Sequence, residues 1–330
     1  MSKKNKDEIA LNYGANGKEL TPEEIQRLKR LAKKKSHRLD AGGWIFVICN
    51  TIFLVLFALV TLYPVINTVA YSFNDGLDAL RGNIYIWPRK FSVESYKTVF
   101  NMHGIVVGAR VTVLRTLIGT FTALVANALL AFVISRKRFL FKSSLSLFWV
   151  ITMYVNGGMV PVMILFKYLG LLGSFWVYII PGMVSAFNVM VLRTYMQDLP
   201  DELEESAQLD GAGYITIFAR IISPLCKPVY ATVALFVAVG QWNSWFDAML
   251  YNRLNPEYTT LQYELMRLLS SVSKQGGNVG LASQAAASTQ VTTISVRSAA
   301  SVVTMVPIII VYPFLQRYFV TGLTIGGVKG

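Results

Sequence analysis

The sequence predicts an all-α protein that crosses a bilayer six times and carries one polar loop on the cytoplasmic side. Three observations predict it. Of 330 residues, 54% are hydrophobic and the mean hydropathy is +0.47, too apolar for a soluble two-domain chain and too often interrupted for a single anchor. The apolar residues gather into runs at about Trp44–Tyr71, Ile105–Ile134, Leu145–Tyr168, Phe175–Met196, Val229–Leu250 and Ala299–Val320, each long enough to cross the hydrocarbon core. Finally, 11 of the 31 Lys and Arg precede Ala41, which the positive-inside rule reads as a cytoplasmic N-terminus. The net charge of +13 therefore reports orientation in a membrane, and nucleic-acid binding is not expected.

In order, residues 1–43 form a basic cytoplasmic arm and residues 44–330 the membrane domain. Thr21-Pro22-Glu23-Glu24 starts a helix in the arm, and Lys33-Lys34-Lys35 and Arg38 belong at lipid headgroups. The first apolar run is too long for the core of a secretory signal and is expected to stay uncleaved. An external segment from Ser72 to about Met102 follows. Arg110 and Arg115 in span two are costly in lipid and should face protein or water, or snorkel to the interface. Ser135-Arg136-Lys137-Arg138 marks the inside again. Span three is interrupted by Asn156-Gly157-Gly158 and Pro161, whose freed backbone groups predict a bent, cavity-facing helix. Gly170-Leu171-Leu172-Gly173 makes the outer turn, and span four contains Pro181 and Asn188. Span five ends in Gln241-Trp242-Asn243-Ser244-Trp245-Phe246-Asp247. Tyr251 to Val296, with Gly276-Gly277-Asn278 and Ala285-Ala286-Ala287, reads as external loop. Span six carries Pro307 and Pro313, and Gly322–Gly330 is an inner tail. Both termini are then cytoplasmic, with Lys33, Arg136 and Arg220 inside and Arg89 and Lys274 outside.

The loop at Leu199–Pro228 is polar sequence between apolar runs. Asp201 and Glu204 have capping-box spacing, and Leu203 and Ala207, four apart, share a face. Asp210-Gly211 ends this helix, with Gly211 as the left-handed cap residue. A second amphipathic turn from Tyr214 through Phe218 and Ile221 runs to Pro224.

Glu205-Ser206-Ala207, three residues, Gly211, nine residues, Ile221, one residue, Ser223-Pro224 resembles the EAA loop of permease subunits of ATP-binding-cassette importers. The family more often has Ala where Ser206 stands and Leu where Ser223 stands. Leu209-Asp210-Gly211-Ala212 and Pro224-Leu225 resemble the carbohydrate branch, which includes the maltose permeases. The Phe91-Ser92-Val93-Glu94-Ser95-Tyr96 stretch, the basic turn after span two, and Tyr312-Pro313-Phe314 with Gly326–Gly330 do so too. Asn156-Gly157-Gly158, Gly170–Gly173, Pro181 and Ser185–Asn188 resemble the subgroup handling complex oligosaccharides. The resemblance covers about Leu62 to Gly330. It implies a type I importer fold and an external solute-binding protein. It further implies a second, different permease subunit and two ATPase subunits that use ATP and Mg. Glu205, Ser206, Ala207, Asp210, Gly211, Ile221 and Pro224 become the residues that couple to the ATPase, the helix of this loop fitting a cleft on it.

No G-x-x-x-x-G-K-[ST] run occurs, so the chain is expected to hold no ATP phosphates itself. Glu202, Glu204, Glu205 and Asp210 crowd one loop with no His partner or metal spacing, so neither catalysis nor a metal site is expected. Cys49 and Cys226 read as packing residues, and His37 and His103 are isolated. Sugars are held by aromatic faces and amide hydrogen bonds, a chemistry offered by Asn156, Asn188, Gln241, Trp242, Asn243 and Trp245. The alternatives are an interfacial aromatic belt for the tryptophans and helix–helix hydrogen bonds for the amides. Trp242 and Trp245, three apart, share a face if span five is a regular helix. An ion-coupled transporter or channel should show buried acids or a charge pair in its spans, and apart from the two arginines none is evident. A membrane enzyme should show a catalytic constellation at one face, and none is seen.

Overall fold

A computed structural model describes residues 41–273 and 291–327. The expected helix at Thr21, the basic arm with Lys33, His37 and Arg38, Lys274, the Gly276 and Ala285 clusters and residues 328–330 lie outside the described residues. Among the described residues every regular element is helical, and strand-like pairing is confined to one bridge, Asn74 with Phe91.

The chain divides at Pro64 into two compact units. The first, as described, is the start of α1 (Ala41–Ser72). Trp44, Phe53, Phe57 and Val60 are exposed on all sides of this helix, which carries no charged residue. A helix apolar all round is made for lipid.

The second unit opens with the last turns of α1, α2 (Gly76–Leu80) and α3 (Glu94–Asn101). Buried Asn74 organises this segment. Its amide donates to Asp78 Oδ2 at 3.0 Å and its carbonyl accepts from Lys90 N at 2.9 Å. Arg89 Nε reaches the same Asp78 oxygen at 3.0 Å. The Asn74 hydrogen bond, with Arg89 beside it, holds the Asp78 carboxyl below its ordinary range. Phe73 stacks on Phe91 at 5.6 Å and on Tyr96 at 4.8 Å, so the Phe91–Tyr96 stretch folds back onto the end of α1.

Next comes α4 (His103–Ser135), about 50 Å long, the element most others pack on. The third span is broken: α5 (Lys142–Tyr154) and α6 (Met159–Tyr168) meet at 114°. Asn156 Oδ1 accepts from Gly158 N at 2.9 Å, and Gly158 has φ +86°, a conformation open mainly to glycine. The expected bend is present, but Asn156 and its neighbours are exposed in the isolated chain.

The fourth run departs from a continuous helix. It contains a 3₁₀ turn (Phe175–Tyr178), irregular backbone to Ser185, and then α7 (Ala186–Gln197). Pro181 and Gly182 sit in the irregular part, and side chains from elsewhere satisfy its backbone. Fully buried Asn127 on α4 donates to Met183 O at 3.0 Å and accepts from Ser185 N at 2.9 Å. Gln241 Nε2 donates to Tyr178 O at 3.2 Å, and Asn252 and Asn255 donate to Ser174 O and Gly173 O. Irregular backbone at membrane depth is tolerated where protein buries it in this way.

The polar loop follows as α8 (Glu202–Leu209), α9 (Tyr214–Ile217), a π-helical turn (Phe218–Ile222) and α10 (Ser223–Leu225). Then α11 (Lys227–Asn243) turns away at 82°. The fifth run does not continue to Leu250: Ser244 is extended, with ψ 126°, and α12 (Phe246–Tyr251) starts anew. Trp242 and Trp245 therefore share no helix. The expected external loop contains a 3₁₀ turn (Pro256–Tyr258) and α13 (Leu261–Ser273). Last is α14 (Thr293–Gly327), packed on α3, α11 and α13.

Among the described residues three helices are long and apolar enough to cross a membrane, and five spans result if each bent pair counts as one. The fourth run supplies only the 12 residues of α7. The start of α13 lies against α4 because Gly108 has no side chain. A Cβ there would stand 2.9 Å from the backbone of Thr260 and Leu261, where Leu261 N donates to buried Thr112 Oγ1 at 2.9 Å. Gly108→Ala is expected to lose about 1–3 kcal/mol to overpacking, read as a lower unfolding midpoint in detergent. Gly157→Ala, with nothing within 4 Å of its Cβ, should leave the midpoint unchanged; equal midpoints for the two variants would contradict this packing.

Candidate functional site

The loop at Leu199–Pro228 is built as a rigid corner. Its first helix, α8, ends in a Schellman motif: Ala212 N donates to Ala207 O at 2.9 Å and Gly211 N to Gln208 O at 3.0 Å. Gly211 has φ +79°, and a Cβ on it would meet nothing within 4 Å, so backbone conformation alone requires glycine there. The expected left-handed cap is present.

The expected capping box is not formed. Asp201 has helical φ −67° and ψ −27° and makes no side-chain cap. Both acids are drawn instead to the basic turn after α4. Glu204 Oε2 meets Arg136 Nη1 at 2.6 Å, with the two side chains only 15% and 11% exposed, and Asp201 pairs with Lys137. The hydrogen bond to Asp201 raises the Lys137 ammonium above its ordinary pKa. Arg136 also donates to Met196 O at 3.2 Å and to Ser135 Oγ at 2.9 Å, and lies over the Phe132 ring at 5.0 Å. A single guanidinium thus joins the end of α4, the end of α7 and α8. Beneath it Ala207, Ile217, Ile222 and Cys226 share one core with Phe132, Ile134, Leu192 and Met196. Glu205, Ser206, Asp210 and Pro224 are exposed and Ile221 is half-buried. Leu203, Leu209, Tyr214 and Ile215 are exposed too, the last by 85%. The loop therefore presents an apolar outer face on a fixed base.

The six amide and aromatic residues do not converge. Asn156 caps the break between α5 and α6, and Asn188 is buried in the first turn of α7. Asn243 Oδ1 accepts from Gln262 Nε2 at 3.2 Å. Trp245 sits edge-on to Phe246. The Trp242 indole donates to Thr304 O of α14 at 3.0 Å and borders an apolar cleft of 470 Å³ with Leu117, Phe121 and Pro307. Gln241 belongs to a buried network. Its Oε1 accepts from Arg115 Nε at 2.9 Å, and Arg115 Nη2 meets Asp247 Oδ2 at 2.5 Å. Arg115 is 2% exposed and lies over the Tyr178 ring at 4.3 Å. A charge pair is therefore present where none was evident from the sequence, because its members are 132 residues apart. Arg115 is enclosed by protein, and Asp247 keeps a partly exposed edge. The only advance signal was the cost of an arginine in a span. Arg136 had a positional signal alone, and its pairing with Glu204 was not legible.

The family model described as binding-protein-dependent transport system inner membrane component matches residues 106–246, from α4 through the loop to the start of α12. The polygalacturonan/rhamnogalacturonan transport system permease protein YtcP of Bacillus subtilis (strain 168) is 35% identical, over 84% of this chain and 96% of its own length. The chain belongs to the binding-protein-dependent transport permease family. The arabinooligosaccharides transport system permease protein AraQ of the same organism is 29% identical over 87% of this chain and 97% of its own length. A permease chain in the crystal structure of a bacterial ABC transporter involved in the import of the acidic polysaccharide alginate matches with TM-score 0.78 and 29% identity, over 86% of this chain and 99% of that one. The protein is a membrane-embedded permease of an ATP-binding-cassette importer with the type I fold. Its family consists of transporter subunits, not enzymes, and does not favour an ion-coupled carrier.

Removing one partner of a buried ion pair costs about 3–5 kcal/mol, whereas replacing both with apolar groups is near neutral. Arg115→Met and Asp247→Leu should each destabilise this permease by that order, and the double variant should recover at least half the loss. Thermal unfolding in detergent reads this, and strictly additive losses would show that the pair does not hold these elements together.

Proposed function

We propose that this chain is one of two permease subunits of an importer that takes an oligosaccharide from an external binding protein and releases it inside, driven by two ATPase subunits that bind ATP and Mg. Transport proceeds by alternating access. The observation that supports this reading best is the cytoplasmic corner, an exposed apolar face on a helix tied by Arg136 and Lys137 to α4 and α7. Such a corner transmits a push from a partner to the membrane helices without bending. Ala207 permits close packing at its base, Gly211 and Asp210 end the helix, and exposed Glu205 and Ser206 offer polar contacts to the partner. Ile221 and Pro224 set the turn into α11. The substrate class is supported by relatives named for polygalacturonan, arabinooligosaccharides and maltodextrin. Asn156, Asn188, Gln241, Trp242, Asn243 and Trp245 remain proposed path residues. Gln241 and Trp242, already bonded to protein, act by shaping the path from behind.

Proline fixes φ near −65° and donates no N–H, whereas Gly211 needs φ +79° and donates to Gln208 O. Gly211→Pro should leave the subunit in the membrane while transport and substrate-stimulated ATP hydrolysis fall together. Normal transport by the variant would remove the loop from the mechanism.

In this reading six spans place both termini in the cytoplasm. From a version lacking Cys49 and Cys226, single cysteines at positions 89 and 274 should react with an impermeant thiol reagent added to intact cells, and those at 33, 136 and 220 should not. The inverse pattern would invert the topology.

A further inference from the structure

Only residues 136–141 connect the apolar helices α4 and α5. Even fully extended, a link of that length reaches out and back only about 10 Å, hardly beyond the headgroup layer. Here it is shorter still, because it is folded into two tight turns back to back. Phe139 N donates to Arg136 O at 3.3 Å, and Lys142 N donates to Phe139 O at 3.3 Å. The first corner presents Lys137 and Arg138, the second Leu140 and Phe141, and all four are exposed. Leu140 is 90% exposed and Phe141 64%. Half-buried Phe139 meets the Phe141 ring edge-on at 6.3 Å, which fixes the apolar corner in place.

The cations of this link divide into two sets. Arg136 and Lys137 are taken by Glu204 and Asp201. Arg138 and Lys142 have no carboxylate within 4.0 Å among the described residues, and they bracket the apolar corner in the order Arg138-Phe139-Leu140-Phe141-Lys142. Cations on both sides of exposed Leu and Phe suit a segment lying in the interface. Its apolar side chains enter the acyl boundary while its cations stay with the phosphates. Apolar exposure also continues up both helices, through Leu129 and Val133 on α4 and Leu147 and Phe148 on α5. The corner is therefore the edge of the apolar surface of the spans, whereas a patch made for a soluble partner would stand apart from it.

We propose that Arg138 and Lys142, with Leu140 and Phe141 between them, bind an anionic phospholipid. The phosphate supplies the acceptors that the two cations lack, the start of the acyl chain covers the apolar corner, and a net negative headgroup balances the cations as a zwitterion does not. The lipid sits directly beside Arg136 and Lys137, which hold the base of α8. The site belongs to whichever leaflet the link meets, so it does not depend on the orientation of the chain or on its cargo.

The test places the full permease complex in phosphatidylcholine nanodiscs, with a fluorophore on Leu140→Cys in a version lacking Cys49 and Cys226. Spin-labelled phosphatidylglycerol or spin-labelled phosphatidylcholine, each with its nitroxide near the headgroup end of the chain, is added in increasing fraction. Half-maximal quenching should need about fivefold less phosphatidylglycerol, or less still, since each cation near an anionic surface is worth roughly that factor. Arg138→Gln with Lys142→Gln should bring the two values together while both lipids still quench, because the apolar corner stays in the interface. Added salt should narrow the difference without any change to these cations, which guards against a variant that fails to assemble. Equal values for the two lipids at low salt overturn the proposal. A difference that survives both glutamines, or that salt leaves unchanged, also overturns it and assigns the preference elsewhere in the chain. Quenching by neither lipid overturns it too and, where binding of the ATPase subunits shields the label, assigns the corner to protein.

Discussion

Backbone groups at membrane depth must find partners in protein, because lipid offers none, and the fold of this permease depends on how that demand is met. The irregular stretch between the outer turn and α7 could not exist without Asn127, whose single amide serves both Met183 and Ser185. Gln241, Asn252 and Asn255 do the same for Tyr178, Ser174 and Gly173. Buried amides in the spans therefore answer broken backbone before they can answer a ligand. The same demand places Gln241 beside Arg115, so that the network closing around Tyr178 ties α4, α11 and α12 to the 3₁₀ turn that begins the fourth run.

At the polar loop the governing interaction is different. Arg136 is held by Glu204, Met196 O and Ser135 at once, and it replaces the local capping box that Asp201 and Glu204 could have formed. A capping box would stabilise α8 alone. The ion pairs instead fasten α8 to the ends of α4 and α7, and the Schellman end at Gly211 makes the corner stiff. In the proposed coupling, stiffness matters because a lever that bends transmits nothing. The outward apolar residues, from Leu203 to Ile215, are then available to a partner without weakening the base.

Charge in the membrane portion is distributed by the same logic of compensation. Arg115 has its carboxylate and its aromatic face, and it belongs to the scaffold. Among the described residues Arg193 has a thioether and nothing stronger. Two arginines in neighbouring spans, equal in a hydropathy plot, thus differ in whether the fold itself completes them.

The sequence by itself determined the all-helical class, the apolar runs, the polar loop and the glycine that ends its first helix. These are signals of composition and short spacing, in which a residue and its consequence lie within a few positions of each other. It also located the break at Asn156-Gly157-Gly158, since backbone freed by glycine and proline is a local fact. Only the tertiary structure decided that the fourth run is half irregular, that the fifth stops at Asn243, and that α13 lies within a stretch read as loop. Only it paired Arg115 with Asp247 and drew Glu204 away from its cap to Arg136. The physical reason is that a buried polar group takes whichever partner packing brings within reach. For residues separated by 132 positions, that is settled by how helices cross and not by anything periodic along the chain.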